Sequence, residues 1–389
     1  MIQAESRQRI SRLQGVLGEK GVHAALFIFP IDIYYYTGTR QNAALWVPCD
    51  SDPVLFVRKS LSRAREESPI EVIRPFPSSK EFASNFSDSC MTIGMTFDVV
   101  PVQQLNYYTK MLPGRSFVDI SMINREIRAV KTPFELEELR NSAMKLASVF
   151  MQVPGFLKTG MRELDLAAEF EYRLRKAGNE GYVRMRAFNQ ELYGGLAVSS
   201  GGTSYGFFDG PVTGKGLSPA SAQGSSLDEI CVNKPVLLDY VGVFNGYVTD
   251  MTRMFVIGSL DPELKRAFDV AIEIQEEVRK AMKPGVTGEE LFLKSAAIAD
   301  AAGFGSNFMG MPGEQAKFVG HGVGLELDEL PLLAQGFKLP LKEMHVIAVE
   351  PKFVIPGKGV IGIENTFALG VNGGVKLTDI SDDIVFLDA

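Results

Sequence analysis

Cysteine, histidine and tryptophan are scarce in this sequence. Its 389 residues hold 3 Cys, 3 His and 1 Trp. Cys49, Cys90 and Cys231 are odd in number and far apart, and they form neither a Cys-x-x-Cys pair nor a zinc spacing. A disulfide scaffold is thereby excluded, and buried free thiols are expected. No cysteine lies in a glycine-rich elbow, so a thiol nucleophile is not expected either. No apolar run approaches the ~18 residues that a membrane span needs, so no membrane partner is expected. The chain also lacks a Lys/Arg block. Lys+Arg 40 against Asp+Glu 47 leaves a net charge of −7, which argues against a nucleic-acid binder working by bulk charge. The opening MIQAESRQRI is polar and carries no apolar signal-type segment, so a cytoplasmic location is expected.

What is present is ordinary globular material, 46% hydrophobic and 22% charged. At ~150 residues per domain the length suggests two or three domains, or one small and one large. Residues 1–125 read as a small mixed α/β domain. Arg7 to Gly21 has a helical pattern, and Ala24 to Phe29 is an apolar run bounded by Pro30. Ala43–Val47 and Val54–Val57 flank a turn and read as a hairpin. Glu71–Ile73 and Met91–Phe97 are further strand candidates. The second domain is expected over residues 126–389. Its first helix is announced by Thr132-Pro133-Phe134-Glu135, an N-cap threonine, a proline at the first position and a glutamate that completes a capping box.

The remainder echoes itself. Gly160, Leu166 and Gly178 mark one helical segment, and Gly285, Leu291 and Gly303 mark another, each landmark displaced by 125. A capped, proline-started helix precedes each segment, at Thr132-Pro133 and Asp261-Pro262, and a β-rich stretch follows each. Two helix–helix–strands units in tandem predict a duplicated domain with its site between the halves.

Three segments carry chemistry. In PVLLDYVGVFNGYVTDMTRMFVIG, Asn245-Gly246 between two strand-like runs predicts a two-residue hairpin turn. That register pairs Phe244 with Tyr247, Val241 with Asp250 and Asp239 with Thr252, so Asp239 and Asp250 become diagonal neighbours on one face. Two carboxylates on a buried apolar hairpin repel, and a divalent cation relieves both. In FVGHGVGLELDELP, His321 stands between glycines that allow close approach to the imidazole, a good ligand for a transition metal. His23 and His345 read as structural. In HVIAVEPKFVIPGKGVIGIENTFALG, Glu350 and Glu364 lie in two apolar strands around a Pro356–Gly359 turn. A four-residue loop would turn the two glutamates to opposite faces. Their convergence requires a loop of three or five residues, or a bulge.

The order Asp–Asp–His–Glu–Glu resembles the pita-bread metallopeptidases: prolidase, aminopeptidase P, methionine aminopeptidase and the related creatinase. The matching stretches are LLDYVGVFNGYVTDMTR, GHGVGLELDELP, VEPKF and GIENT, with AALFIFPIDIYYYTGT similar to the family's N-terminal domain and IRAVKTPFELEELRNSA to its interdomain helix. The resemblance implies an α/β (α+β) fold in which a small N-terminal domain precedes a pseudo-twofold pita-bread domain. It implies two divalent metals, manganese first and cobalt or zinc next by ligand type. Asp239 would bind one metal, His321 and Glu350 the other, and Asp250 and Glu364 would bridge them. Glu350 would shuttle the proton, with His321 beside it. The implied partners are a short peptide or small amide as substrate and a second copy of the chain in a homodimer.

The sequence departs from the prolidase pattern at Phe208 and Asp328, where histidines are expected, and at Gly362, where an arginine is expected. These positions concern substrate binding, so proline-dipeptide specificity is the property they put at issue. Arg184, Arg186, Tyr205 and Asp209 are nearby polar residues that could compensate. The leading expectation is a metal-dependent hydrolase acting near the N-terminus of a short peptide, of Xaa-Pro aminopeptidase or dipeptidase type. Hydrolase or lyase chemistry on a small non-peptide molecule is the alternative. A non-catalytic binding module ranks last, because all five ligands stand.

Overall fold

The computed structural model describes residues 2–186, 194–199 and 210–389. Two compact units emerge. The first holds residues 2–128 together with Arg186, and the second holds 129–185 and the remaining described residues.

The first unit is built on a six-stranded mixed sheet in the order β4-β3-β2-β1-β5-β6. Its strands are β1 (Ala24–Phe27), β2 (Ala43–Pro48), β3 (Val54–Val57), β4 (Val72–Pro75), β5 (Thr92–Met95) and β6 (Ser116–Asp119). The expected hairpin is the antiparallel β2–β3 pair, with Trp46 opposite Val54. Helices α1 (Ile2–Glu19), α2 (Pro30–Thr37), α3 (Leu61–Glu67), α4 (Val102–Met111) and α5 (Ser121–Ala129) punctuate the strands. Phe56, Phe82, Phe86 and Trp46 form an aromatic cluster in its core.

The second unit begins with α6 (Pro133–Phe150). Thr132 accepts from the Glu135 amide and Glu135 accepts from the Thr132 amide, the reciprocal cap anticipated from the sequence. Helix α7 (Glu163–Lys176) and, after the first strands, α8 (Pro262–Ala281) and α9 (Gly288–Ala301) follow. Both ends of α9 fall 125 positions after those of α7 (288 − 163 and 301 − 176). Even the backbone repeats. Gly160 and Gly285 before the helices and Gly178 and Gly303 after them all have positive φ, 78°, 94°, 97° and 83°. Such angles favour glycine, which is why those landmarks recur in the sequence.

Each helix pair covers a sheet. One sheet has the order β17-β9-β8-β7, where β7 is Gly195–Ser199, β8 Pro235–Phe244, β9 Tyr247–Ile257 and β17 Val385–Leu387. The other, β11-β10-β12-β15-β16, is antiparallel throughout and uses β10 (Phe318–Gly322), β11 (Glu329–Ala334), β12 (Val346–Val349), β15 (Asn365–Gly370) and β16 (Gly373–Lys376). A two-stranded ribbon, β13 (Lys352–Ile355) and β14 (Gly359–Gly362), extends from β12 and β15.

Strand alternation assigns the faces. Leu238, Tyr240 and Phe255 pack with α6 and α7 residues such as Leu146 and Phe170. Leu237, Met254 and Val256 pack on the opposite side with α8 and α9 residues such as Phe268 and Leu291. The β8–β9 hairpin is therefore buried on both faces. Any polar side chain on the inner face sits between the two halves of the unit, which is the geometry a duplicated fold needs for a shared site.

Candidate metal centre

The Asn245-Gly246 turn forms as its chemistry requires. Both residues have positive φ, 49° and 81°, as a type I′ turn demands. The register is Phe244 opposite Tyr247, Val241 opposite Asp250 and Asp239 opposite Thr252. Asp239 and Asp250 thus share the inner face, along with Thr252.

The two glutamates converge through the three-residue loop. Ile355 pairs with Gly359, leaving Pro356, Gly357 and Lys358 as a three-residue loop. Lys352 then lies opposite Gly362 and Val349 opposite Asn365, a register that sets Glu350 across from Glu364. Thr252 and Glu364 form a β-bridge that ties the ribbon to β9. His321 comes from β10, an inner strand of its sheet, opposite Ala348 of β12 and Leu332 of β11. Its Nε2 lies 3.5 Å from Glu350 Oε1 and 4.0 Å from Glu364 Oε1.

Asp250, His321 and Glu364 offer one donor atom each, all within 4.8 Å of one another. The surroundings hold these groups firmly. The Thr252 hydroxyl donates to Glu364 Oε2 at 3.0 Å. The Asp250 amide donates to the Thr366 hydroxyl, which in turn donates to the Asp250 carbonyl. Behind the strands the Arg253 guanidinium donates to the Thr252 and Glu364 carbonyls and to Asn365 Oδ1.

One participant was not anticipated. Lys352 follows Glu350 by two residues, so both point to the same face of the ribbon. Its ammonium lies 2.8 Å from Asp239 Oδ2, 2.8 Å from Glu350 Oε2 and 2.9 Å from Glu364 Oε2. The side chain is only 1% exposed. Gly362 makes the room, since a Cβ there would come within 2.7 Å of Lys352 Cγ and 2.8 Å of its Cα. The arginine expected at 362 is thus absent from one strand, while a cation stands opposite it on the other. A signal was present in VEPKFVI, a lone lysine in an apolar strand at the same-face spacing from Glu350.

Burial and like charge dominate the electrostatics. Burial pushes the Asp250 carboxyl well above the usual range, and Glu364 and Asp239 push it further. Burial likewise raises Glu364, to about 8; Lys352 opposes the rise, and Glu350 and Asp239 add to it. Lys352 is buried against its charge, yet Asp239, Glu350 and Glu364 outweigh that and hold its affinity for the proton well above normal.

The other sequence candidates fall elsewhere. Asp328 lies half-buried in the turn between β10 and β11. Phe208, Tyr205 and Asp209 lie outside the described residues. Arg186 belongs to the first unit, where its guanidinium donates to Asp32 at 2.9 and 3.1 Å and to Asp98 at 2.7 and 3.1 Å. Arg184 has a terminal nitrogen 3.9 Å from Glu180 Oε2.

Residues 137–370, more than half of the chain, match the profile of metallopeptidase family M24, and residues 9–130 match the creatinase/prolidase N-terminal domain. The chain belongs to metallopeptidase family M24. It is 25% identical over 330 residues to an uncharacterized peptidase of Staphylococcus epidermidis, covering 82% of this chain and 84% of the relative. It is 24% identical over 328 residues to a Xaa-Pro dipeptidase of Pyrococcus furiosus, covering 83% and 84%. The solved Xaa-Pro dipeptidase of Bacillus anthracis superposes with a TM-score of 0.83 at 20% identity, covering 98% of this chain and 100% of that one. The two-domain α/β fold and the assignment to a metal-dependent peptidase class are borne out. No helix among the described residues is long and apolar enough to cross a membrane.

Family M24 is dinuclear and metal-dependent. Asp250, His321 and Glu364 fit one divalent cation in donor type and spacing, and Glu364 Oε1 is buried without a hydrogen-bond partner among the described residues. The remaining carboxylates do not fit a second one as they stand. Asp239 Oδ2 and Glu350 Oε2 already accept from the Lys352 ammonium.

Proposed function

We propose that this M24 chain hydrolyses an amide bond near the N-terminus of short peptides. The observation that carries the reading is the convergence of Asp250, His321 and Glu364 within the second unit, where its two repeated halves meet. These three residues would hold a divalent cation, manganese by preference among Mn, Co and Zn. Such an ion polarises a carbonyl and brings the pKa of a water toward neutrality.

This chain's own groups supply the rest. Lys352 engages Glu350 through Oε2, which leaves Oε1, on the His321 side, to take a proton from the attacking water and return it to the leaving amine. Asp239 anchors Lys352 and through it fixes Glu350. The chain works as a homodimer in the cytoplasm under this reading.

Specificity should differ from that of a prolidase. A free dipeptide brings a carboxylate that needs a cation. Gly362 provides none, Lys352 is engaged by three carboxylates and Arg186 is engaged by Asp32 and Asp98. Asp328 and Phe208 complete the set of substrate-binding residues we assign, and Asp328 adds negative charge. Longer or amidated peptides should therefore be the better substrates. The buried lysine also favours a second reading, action on a small non-peptide amide, because it takes up room within the acidic cluster.

The test strips the protein with a chelator, reloads it with Mn, and compares an Xaa-Pro dipeptide, its amidated and extended analogues, and a set of small amides. Turnover of the extended peptides that depends on Mn supports the proposal. A free dipeptide preferred tenfold in kcat/KM overturns the specificity. Turnover of small amides alone establishes the second reading.

A further inference from the structure

We propose that the Lys352 ammonium replaces one of the two cations of the family's centre, so that this chain binds a single divalent ion, at Asp250, His321 and Glu364. This rests on the metal-dependent reading above and narrows it.

The argument is one of occupancy. An ammonium nitrogen 2.8–2.9 Å from three carboxylates contributed by β8, β13's leading edge and the β14–β15 junction already does what a cation does there. It joins oxygens that would otherwise repel in a buried setting. It also consumes the oxygens, because Asp239 Oδ2, Glu350 Oε2 and Glu364 Oε2 each point at Nζ. A metal placed among the same oxygens would stand against a fixed positive charge at van der Waals range.

Lys352 has no easy alternative position. It is 1% exposed, its stem crosses Gly362, and the ribbon around it is buried from Lys352 to Ile355. Expelling the ammonium would leave it without a carboxylate partner in an apolar strand, which is unfavourable. The other side of the cluster is different. Among the described residues Glu364 Oε1 is buried with no hydrogen-bond partner, and Glu364 meets His321 and Asp250 across a gap suited to one ion. Glu364 thus divides its work: Oε2 serves the lysine and Thr252, and Oε1 serves the ion.

The decisive measurement is metal content by elemental analysis of the full chain dialysed against Mn, with the electron paramagnetic resonance spectrum of the bound ion. We expect about one Mn per chain and the hyperfine pattern of an isolated ion, with no exchange coupling. Lys352→Met, of similar length but uncharged, should admit a second Mn, raise the content to about two and produce a coupled spectrum. Asp239→Asn in otherwise unchanged protein keeps about one Mn, because Asp239 serves the lysine and not the ion. This variant also decides the matter if Lys352→Met fails to fold.

About two coupled Mn in the unmodified chain would overturn the lysine's role while leaving the metallopeptidase reading intact. No Mn in the unmodified chain would remove that reading and this proposal together. Loss of the Mn on Asp239→Asn would also overturn it, since Asp239 would then be a ligand.

Discussion

Two buried acid clusters in this molecule meet the same physical problem with different outcomes. In the first unit Asp32 is fully buried. It accepts from Arg186 and Arg128 guanidinium groups, the Asn124 amide and the Thr96 hydroxyl. Two cations and two neutral donors serve one carboxylate, and the nearby Asp98 shares Arg186. In the second unit one ammonium serves three carboxylates, Asp239, Glu350 and Glu364, and Asp250 stands with them in the same cluster. The difference separates structure from function. A carboxylate whose lone pairs are all spoken for is a fastener. A cluster with surplus negative charge and a buried, unpartnered oxygen has an affinity to spend on an ion.

The comparison is broken most severely by removing the surplus. Glu364→Gln takes away the charge that faces both Lys352 and the ion. It should lower kcat/KM by roughly 10³-fold or more, the loss expected when several kcal/mol of metal-assisted stabilisation goes. Mn content should fall with it. A variant that keeps its Mn and its turnover would return Glu364 to the fasteners.

The next effect is one of stability alone. Arg186→Met strips Asp32 of a guanidinium and leaves Asp98 without it. Breaking a buried ion pair from one side costs about 3–5 kcal/mol. The first unit should melt earlier in calorimetry, and Mn content should be unchanged. If Arg186→Met instead alters peptide turnover at a temperature where the protein is folded, the guanidinium has a second task.

Stripping the ion from the unmodified chain should be milder. Lys352 already offsets part of the repulsion, so the metal-free protein stays folded. At a free ion concentration 100-fold above its dissociation constant, the metal contributes only about 2.7 kcal/mol of stability. Calorimetry with and without chelator measures this. Collapse of the second unit on chelation would mean that the ammonium does not hold the cluster together.

The sequence made one side of this contrast readable and hid the other. Asn245-Gly246 forces a two-residue turn, and a strand's alternation then fixes Asp239 and Asp250 on one face without any further knowledge. The repeat at offset 125 was visible because glycines at positive φ flank each helix and tolerate few replacements. The loop between Glu350 and Glu364 was open between even and odd lengths, since Pro-Gly-Lys-Gly does not say which residues pair. Lys352 stayed hidden for a different reason. Its partners come from residues 113 and 12 positions away as well as from Glu350 next door, so no local spacing announces the triple contact. Arg186 is the same case in the first unit, 154 residues from Asp32. Local rules find turns, caps and faces; they do not find the counter-ion of a buried charge when it arrives from elsewhere in the chain.

The smallest predicted effect tests whether the surplus charge is held in place by neutral groups, as Asp32 is by Asn124 and Thr96. Thr366 sits on β15 beside β9. Its hydroxyl accepts from the Asp250 amide at 3.2 Å and donates to the Asp250 carbonyl at 2.9 Å. Thr366 is fully buried, so neither bond can pass to solvent. Thr366→Val keeps the shape and removes both bonds, leaving a buried amide unsatisfied at a cost of about 1–3 kcal/mol. The strand itself should persist, since β8 pairs with β9 along its whole length. What shifts is Asp250, whose carboxylate is aimed by a backbone that has lost its clamp. Groups that orient a metal ligand are worth about 10–100-fold in affinity or activity. Mn affinity by calorimetric titration should therefore fall about tenfold at the low end of that range, with metal content at saturation unchanged. Thr366→Ser, which retains the hydroxyl, should restore the affinity. Equal affinity in Thr366→Val and the unmodified chain would mean that the charge cluster orients itself, and that only the fastener in the first unit depends on its neutral donors.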